Sequence, residues 1–473
     1  MKKRVDALFE IWKENMLPLS FVISSVANIA LYYLGLAFRE NPGREYGFLL
    51  CSIVFAVCSG IALLYLLKKE RFPVRTWVLV CSVMLFFGVC FIVGFIRNGF
   101  DSLLFLYFQR FVVFAVPSFF AGICAAKWGS VKHFIPSLEK LSFFVLPAAV
   151  MYFNQVLFDA NPFNWGRDLG IINYMSFAYT LMPFLLAHML GFAENAALEG
   201  FGNKKQFEHA QAARLALILI YWIAIYSSGT RGAVVCVVIF SGLLLLHKIV
   251  HRMKIKSAAI MVGVMLAVLL FNLTIYAPPG MKWLSRMDMF LAGLADGKIV
   301  TAVEDENVED NLDSIVMNGL NPKDPTQDTA ESADEETVPG TEGNDKNETD
   351  APVQIRSRGT LFKIALKEFL KSPITGMGPG EYSEKYGKYP HNAILELLAE
   401  TGLVGTLFVL ALVMIALKRM LVNGWQDNNV QHFLLFIMAY VVYCNISGTV
   451  WDCSALLCAL GFGLVYQPQK IDK

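Results

Sequence analysis

The stretch "KYPHNAILELLAETGLVGTLF" places His391 and Asn392 directly before a long apolar run, with Glu396 and Glu400 just inside it. Asn392, Glu396 and Glu400 are spaced four apart, so they share one helix face, with His391 at its top. An imidazole that titrates near pH 6.5 is the common proton acceptor of catalysis. Two carboxylates in an apolar helix are costly unless they pair or face a cavity, so this face is read as functional. Packing glutamates below a helix-start histidine are the plainer alternative. Arginine supplies the complementary chemistry. Arg231 lies in "SSGTRGAVV", between two apolar runs, where Gly229 and Gly232 allow a tight reversal. Arg356 and Arg358 enter an amphipathic helix, and both helix starts and paired guanidiniums suit phosphate. Arg110 lies about a third of the way into an apolar stretch. Its charge there costs roughly 2.5–3.5 kcal/mol on insertion scales, so it needs a cavity or a partner.

The elements that position these groups follow from composition. Of 473 residues, 56% are hydrophobic and only 17% are charged, below the roughly 25% of soluble domains. A membrane-spanning helix needs about 20 apolar residues. Such stretches fall near 18–38, 46–67, 76–96, 103–126, 141–158, 171–191, 213–228, 232–247, 257–277, 393–417, 431–449 and 452–466. The expected fold class is therefore all-α, a polytopic integral membrane protein of about 12 transmembrane helices. The start "MKKR" is basic, but Asp6, Glu10 and Glu14 interrupt any signal-peptide core. It reads as a short interfacial helix before an uncleaved first span.

Basic residues recur in alternate loops: "KKERFPVR", Lys127 to Lys140, Lys204 to Arg214, "HKIVHRMKIK" and Lys418-Arg419. That alternation makes the chain a multi-pass membrane protein with both termini on the cytoplasmic side. Three regions follow: an N-terminal bundle of about nine helices at 1–277, an extracytoplasmic loop at 278–390, and about three C-terminal helices at 391–473. Of the seven histidines, only His391 then faces outward. The nine cysteines all lie in apolar stretches and read as small hydrophobes, with no disulfide framework.

Within the loop, 301–352 holds 16 acidic and 2 basic residues, so it carries −14 while the whole chain is +1. This low-complexity insert reads as a disordered spacer. The segment 356–371 then reads as an interfacial amphipathic helix. Phe362, Ala365, Leu366, Phe369 and Leu370 share one face, and Lys363, Lys367 and Lys371 another. "SPITGMGPGEY" follows, with Gly376, Gly378 and Gly380. Its glycines let main-chain amides approach an anion, although a plain turn reads the same way.

No P-loop, zinc-binding HExxH or nucleotide-binding glycine fingerprint occurs. No metal and no cofactor is expected. Nucleic acid is excluded as a partner, because orientation already accounts for the basic loops. A transporter or flippase of lipid-linked oligosaccharide is the alternative class, and the internal repeats common in transporters are not evident.

The residues "SSGTRGA", a long outer loop, "PxxGxG" and "HNAILELLAETGLVG" together resemble the bacterial O-antigen ligases and O-antigen or capsule polymerases, best over about 210–245 and 356–420. The acidic stretch looks like an insertion beyond the family's usual loop. The resemblance implies a C-type membrane glycosyltransferase acting outside the plasma membrane in surface-polysaccharide synthesis. Its implied donor is a polyprenyl-diphosphate-linked glycan, undecaprenyl diphosphate being the usual carrier. Its implied partners are a glycan or lipid acceptor, membrane lipid and other polysaccharide-assembly proteins. Carried onto this chain, Arg231 with Arg356 or Arg358 contacts the diphosphate, and His391 stands at the transfer point. Arg110, Asn392, Glu396 and Glu400 complete the expected glycan and diphosphate site, and no metal is implied.

Overall fold

In a computed structural model the apolar stretches fold as helices, and no strand occurs among the described residues. Those residues are 2–33, 43–70, 72–99, 102–158, 174–194, 204–227, 230–253, 255–274, 358–451 and 453–467. In chain order the helices are α1 (Lys2–Tyr33), α2 (Gly43–Lys69), α3 (Val74–Asn98), α4 (Ser102–Arg110), α5 (Val116–Trp128), α6 (Phe134–Phe158), α7 (Tyr174–Ala193), α8 (Lys204–Ser227), α9 (Arg231–Val250) and α10 (Lys256–Thr274). Beyond residue 357 come α11 (Arg358–Lys371), α12 (Glu381–Tyr386), α13 (Ala393–Gly424), α14 (Asn428–Ile446) and α15 (Ser454–Val465).

Each expected membrane stretch falls on a helix. Among the described residues, eight helical segments are long and apolar enough to cross a bilayer, and three more are apolar but shorter: Phe177–Ala193, Lys256–Ala267 and Ser454–Val465. The chain is a polytopic helical membrane protein. The acidic insert 301–352 and Arg356 lie outside the described residues. The start differs from expectation: α1 is one continuous helix with Pro18 inside it, not an interfacial helix followed by a span. The expected fourth span is also not uniform. It is α4, a π-helical turn at Phe111–Ala115, and α5.

The helices pack through a shared aromatic core. Phe21, Phe134, Phe433 and Tyr440 meet edge to face, and Phe462 joins them through Phe433. Hydrocarbon offers no hydrophobic drive between helices, so close approach depends on small residues. Gly122 of α5 and Gly461 of α15 show this: a Cβ on Gly122 would fall 2.0 Å from the Cys458 carbonyl oxygen, and one on Gly461 2.1 Å from that of Phe119. A buried polar knot ties α6 to α7 and α8. There Arg214 donates Nε and Nη2 to the Glu139 carboxylate at 2.8 and 3.0 Å, and His188 Nε2 meets Ser142 Oγ at 2.8 Å.

The part of the fold that matters most for function is α13. It breaks at Gly402, whose φ of 64° is left-handed. A break in a membrane helix strands main-chain donors and acceptors, which must find partners inside the protein. The glycine-rich segment before α12 provides them. Met377 and Gly378 donate their amides to the carbonyls of Ala399 and Glu400, both at 2.9 Å, while Leu403 donates to Pro373 at 2.7 Å and Val404 to Ile374 at 3.2 Å. The backbones touch, so side chains are excluded. A Cβ on Gly376 would lie 2.4 Å from Glu400 C, and one on Gly402 2.4 Å from Ile374 O. The "GMGPG" turn is thus a strap that closes the gap in α13.

The helix α11 packs beneath this strap. Leu361, Ile364, Ala365 and Ala399 form a small core with Tyr382, whose hydroxyl donates to the Leu361 carbonyl at 2.7 Å. The inward face is therefore Leu361, Ile364, Ala365 and Glu368. Of the expected face only Ala365 is buried, while Leu366 and Leu370 are exposed. The helix α11 thus has two apolar stripes. One docks on α13, and the other is left for a second apolar surface.

Candidate active site

Four chain segments converge where α13 begins. The capping residue is Asn392, whose Oδ1 accepts from the Leu395 amide at 3.0 Å. His391 precedes it with a left-handed φ of 56°, a costly conformation for a non-glycine residue. Strain of this kind persists only where the surroundings impose it, and it is common at working sites. Tyr389 is one such constraint. Its ring centroid lies 4.2 Å from that of His391, and its hydroxyl donates to the Ser447 carbonyl just past α14.

Glu396 and Glu400 hold the same linker from below. Glu396 accepts from the Thr449 hydroxyl and, at 2.9 Å, from the Val450 amide. Glu400 accepts from the Trp451 indole Nε1. Both carboxylates are 1% exposed, and in this structure they hold the protein's own 449–451 linker. The costly acids of the opening motif are thus paired within the protein, and together they fix where Ser447 and Tyr389 sit.

Arg358 opens α11 and is exposed, close enough to His391 to act on its charge. Burial is the first cause holding His391 well below its ordinary range, at about 4; the charges of Arg358 and Lys388 add to it, and the Ser447 main chain opposes it. Arg358 also acts on Tyr179 of α7, whose ring lies 4.5 Å from that of Tyr443. Tyr179 in turn marks the start of α9: a Cβ on Gly232 would fall 2.1 Å from its hydroxyl oxygen. Arg231 is the first residue of α9, after the capping position at Thr230, so its main chain borders this group. The structure therefore gathers Arg358, Tyr179, Tyr389, His391 and the start of α9 at one end of the bundle.

Arg110 is placed differently. It is exposed, ends α4, and leads into the π-helical turn. One turn before it, the Tyr107 hydroxyl meets Ser383 Oγ of α12 at 3.0 Å. Sequence reasoning missed Arg97, whose Nη1 donates to the Gly376 carbonyl at 3.0 Å and so pins the strap. It also missed Glu381, beside the strap, which burial pushes up to about 7 against the charges of Arg97 and Lys385. Tyr389 was within reach, since it lies two residues from His391. The 447–451 linker was not, because its partners are about fifty residues away in sequence.

The described residues thus form a polytopic helical bundle with cationic and imidazole groups at one helix mouth. Residues 216–410 match the family model described as O-antigen ligase, so that stretch is similar to the O-antigen ligases. The matched residues include the α8–α9 turn, the strap, His391 and the break at Gly402. No curated protein and no solved structure matches the chain.

Proposed function

We propose that the protein transfers or polymerises polyprenyl-diphosphate-linked oligosaccharide units at the extracytoplasmic face of the plasma membrane, as a ligase or polymerase of surface polysaccharide. The observation that carries this reading is the convergence of Arg358, His391 and the start of α9 beside Tyr179 at one end of the bundle. A transporter would centre its polar groups near the midplane.

The reaction is a displacement at the anomeric carbon. An acceptor hydroxyl oxygen bonds to that carbon, and the bond from carbon to diphosphate oxygen breaks. The diphosphate leaves with the bonding electron pair. Arg231 and Arg358, joined by Arg356, stabilise the charge gathering on it. Fixed guanidiniums aimed at developing charge are the strongest device available to such a site. His391 takes the acceptor proton. In the free protein it is neutral and a weak base, because burial and Arg358 oppose its protonation. A bound diphosphate offsets the Arg358 charge, so the donor itself raises the basicity of His391. Asn392, Glu396 and Glu400 position the imidazole and the linker facing it.

The test supplies purified protein with a polyprenyl-diphosphate oligosaccharide alone, and then with a second glycan or lipid acceptor. Growing chain length identifies a polymerase, and product formed only with the second acceptor identifies a ligase. Absence of transfer in both arms, with vesicle flipping of the same lipid, would replace the reading with a transporter.

A further inference from the structure

Glu194, His247 and His432 come together at the end of the bundle opposite His391, with one ligand atom from each within 4.8 Å of the others. They come from three separate elements. Glu194 directly follows α7, His247 lies in the last turn of α9, and His432 lies near the start of α14. His432 and Ile446 are fourteen residues apart on α14, about 21 Å at the rise of an α-helix. Since Ser447 borders the candidate active site, the two groups of residues are separated by most of the membrane core.

His432 Nε2 stands 3.3 Å from Glu194 Oε1. His247 Nε2 is buried with no hydrogen-bond partner among the described residues. Lys248 Nζ lies 2.7 Å from the same Glu194 oxygen and is 3% exposed. The lysine alone balances the carboxylate, so charge balance does not explain two imidazoles at this point. A buried ring nitrogen without a partner is costly, and a Lewis acid between the three groups removes that cost. Two imidazoles and a carboxylate are an established three-ligand set for zinc, with the fourth position left for water. Imidazole-rich sets of this type suit zinc and its first-row neighbours over calcium or magnesium.

We propose that Glu194, His247 and His432 bind a divalent transition-metal ion of the zinc class, contrary to the sequence expectation of no metal. Ligand atoms of a tetrahedral zinc site lie about 3.4 Å apart for bonds of about 2.0–2.1 Å. The ligand atoms of the present cluster lie within 4.8 Å of one another, so they must draw closer to take up the ion. The ion fastens α9, within the family-matched region, to α7 and α14, outside it. Lys248 competes with it for the Glu194 oxygen. The proposal is independent of the transfer reaction.

The experiment uses full-length protein purified in detergent with a tag free of histidine. Elemental analysis is expected to find about one zinc per chain. After chelation, Co²⁺ serves as the probe, read by its visible d–d absorption and by the rise in melting temperature that a native-state ligand causes. His247→Ala and His432→Ala should each weaken Co²⁺ binding at least tenfold. His209→Ala, an exposed histidine on α8, should leave it unchanged. Glu194→Gln keeps the size of the side chain and should also lose affinity, which guards against variants that fail to fold. Lys248→Gln should tighten binding by removing the competing cation. The proposal is overturned by wild-type protein that binds no Co²⁺, or by equal binding in wild type, Glu194→Gln and the two histidine variants.

Discussion

The ring of Tyr389 lies 4.2 Å from that of His391, centroid to centroid, while its hydroxyl is tied to the Ser447 carbonyl. The same side chain therefore supports the imidazole and anchors it to the linker after α14. Tyr389→Phe keeps the ring and removes the anchor. The expected outcome is a fall in transfer rate of about ten- to a hundredfold, the scale of small misplacements at a reacting centre. Binding of the lipid-linked donor, measured on the same preparation, should be nearly unchanged. Parallel losses in both measurements would show that Tyr389 holds the fold and not the imidazole.

His391 sets a pH dependence different from that of an ordinary histidine. An unperturbed imidazole titrates near 6.5, so mild acid would slow the reaction. With His391 lowered to about 4, kcat/KM should stay flat to about pH 5 and fall only below that. Arg358→Ala removes one cause of the lowering and should move the fall toward higher pH. Stability follows the same sign. Between about 6.5 and 4 the unfolded chain binds the proton and the native chain does not, so acid over that window destabilises the fold. A profile that Arg358→Ala leaves in place would separate the arginine from the imidazole.

Arg231 offers a fixed charge with several donors, and lysine keeps the charge without the planar fork. Arg231→Lys should retain partial transfer activity. Arg231→Ala should lose roughly a hundred- to a thousandfold, as when a donor to developing charge is removed. Both variants should purify with wild-type yield and melting temperature. Full activity in both would take Arg231 out of the reaction.

Gly402→Ala should be severely destabilising. The new methyl group would sit 2.4 Å from Ile374 O and 2.6 Å from Gly376 N, main-chain atoms that cannot rotate away. The cost therefore exceeds the roughly 1–3 kcal/mol of backbone strain alone. Gly88→Ala, in α3 with nothing within 4 Å, is the matched control and should be silent. The check is the fraction of monodisperse protein in detergent and its melting temperature.

Hydropathy made the helices legible, because spans such as Val74–Arg97 and Gly232–Val250 are set by their own residues. His391 and Asn392 were legible for the same local reason: they stand at a helix mouth. The break in α13 was not, since "AETGLVG" reads as glycines tolerated in an apolar helix. Only the arrival of the 373–378 strap explains Gly402. Glu396 and Glu400 were correctly singled out as costly. Their partners, Thr449 and Trp451, lie 53 and 51 residues away, and no local pattern announces them. The apolar face of α11 read from sequence leaves Leu366 and Leu370 exposed, and the stripe that meets protein, Leu361 and Ile364, was not singled out.

The crossing of Gly376 with Gly402 also says how this architecture can vary. The strap at 373–378 is latched to α13 by its own backbone, and the 447–451 linker completes the setting of His391. The acidic stretch 301–352 lies in the sequence before Arg356 and before that latch. Its length enters as loop-closure entropy, which grows by about 0.6 kcal/mol per doubling. Related chains can therefore lengthen, shorten or recharge that segment freely while the reactive end keeps its shape. Diversity of this kind would accumulate on one side of Arg356 and stop abruptly at the other.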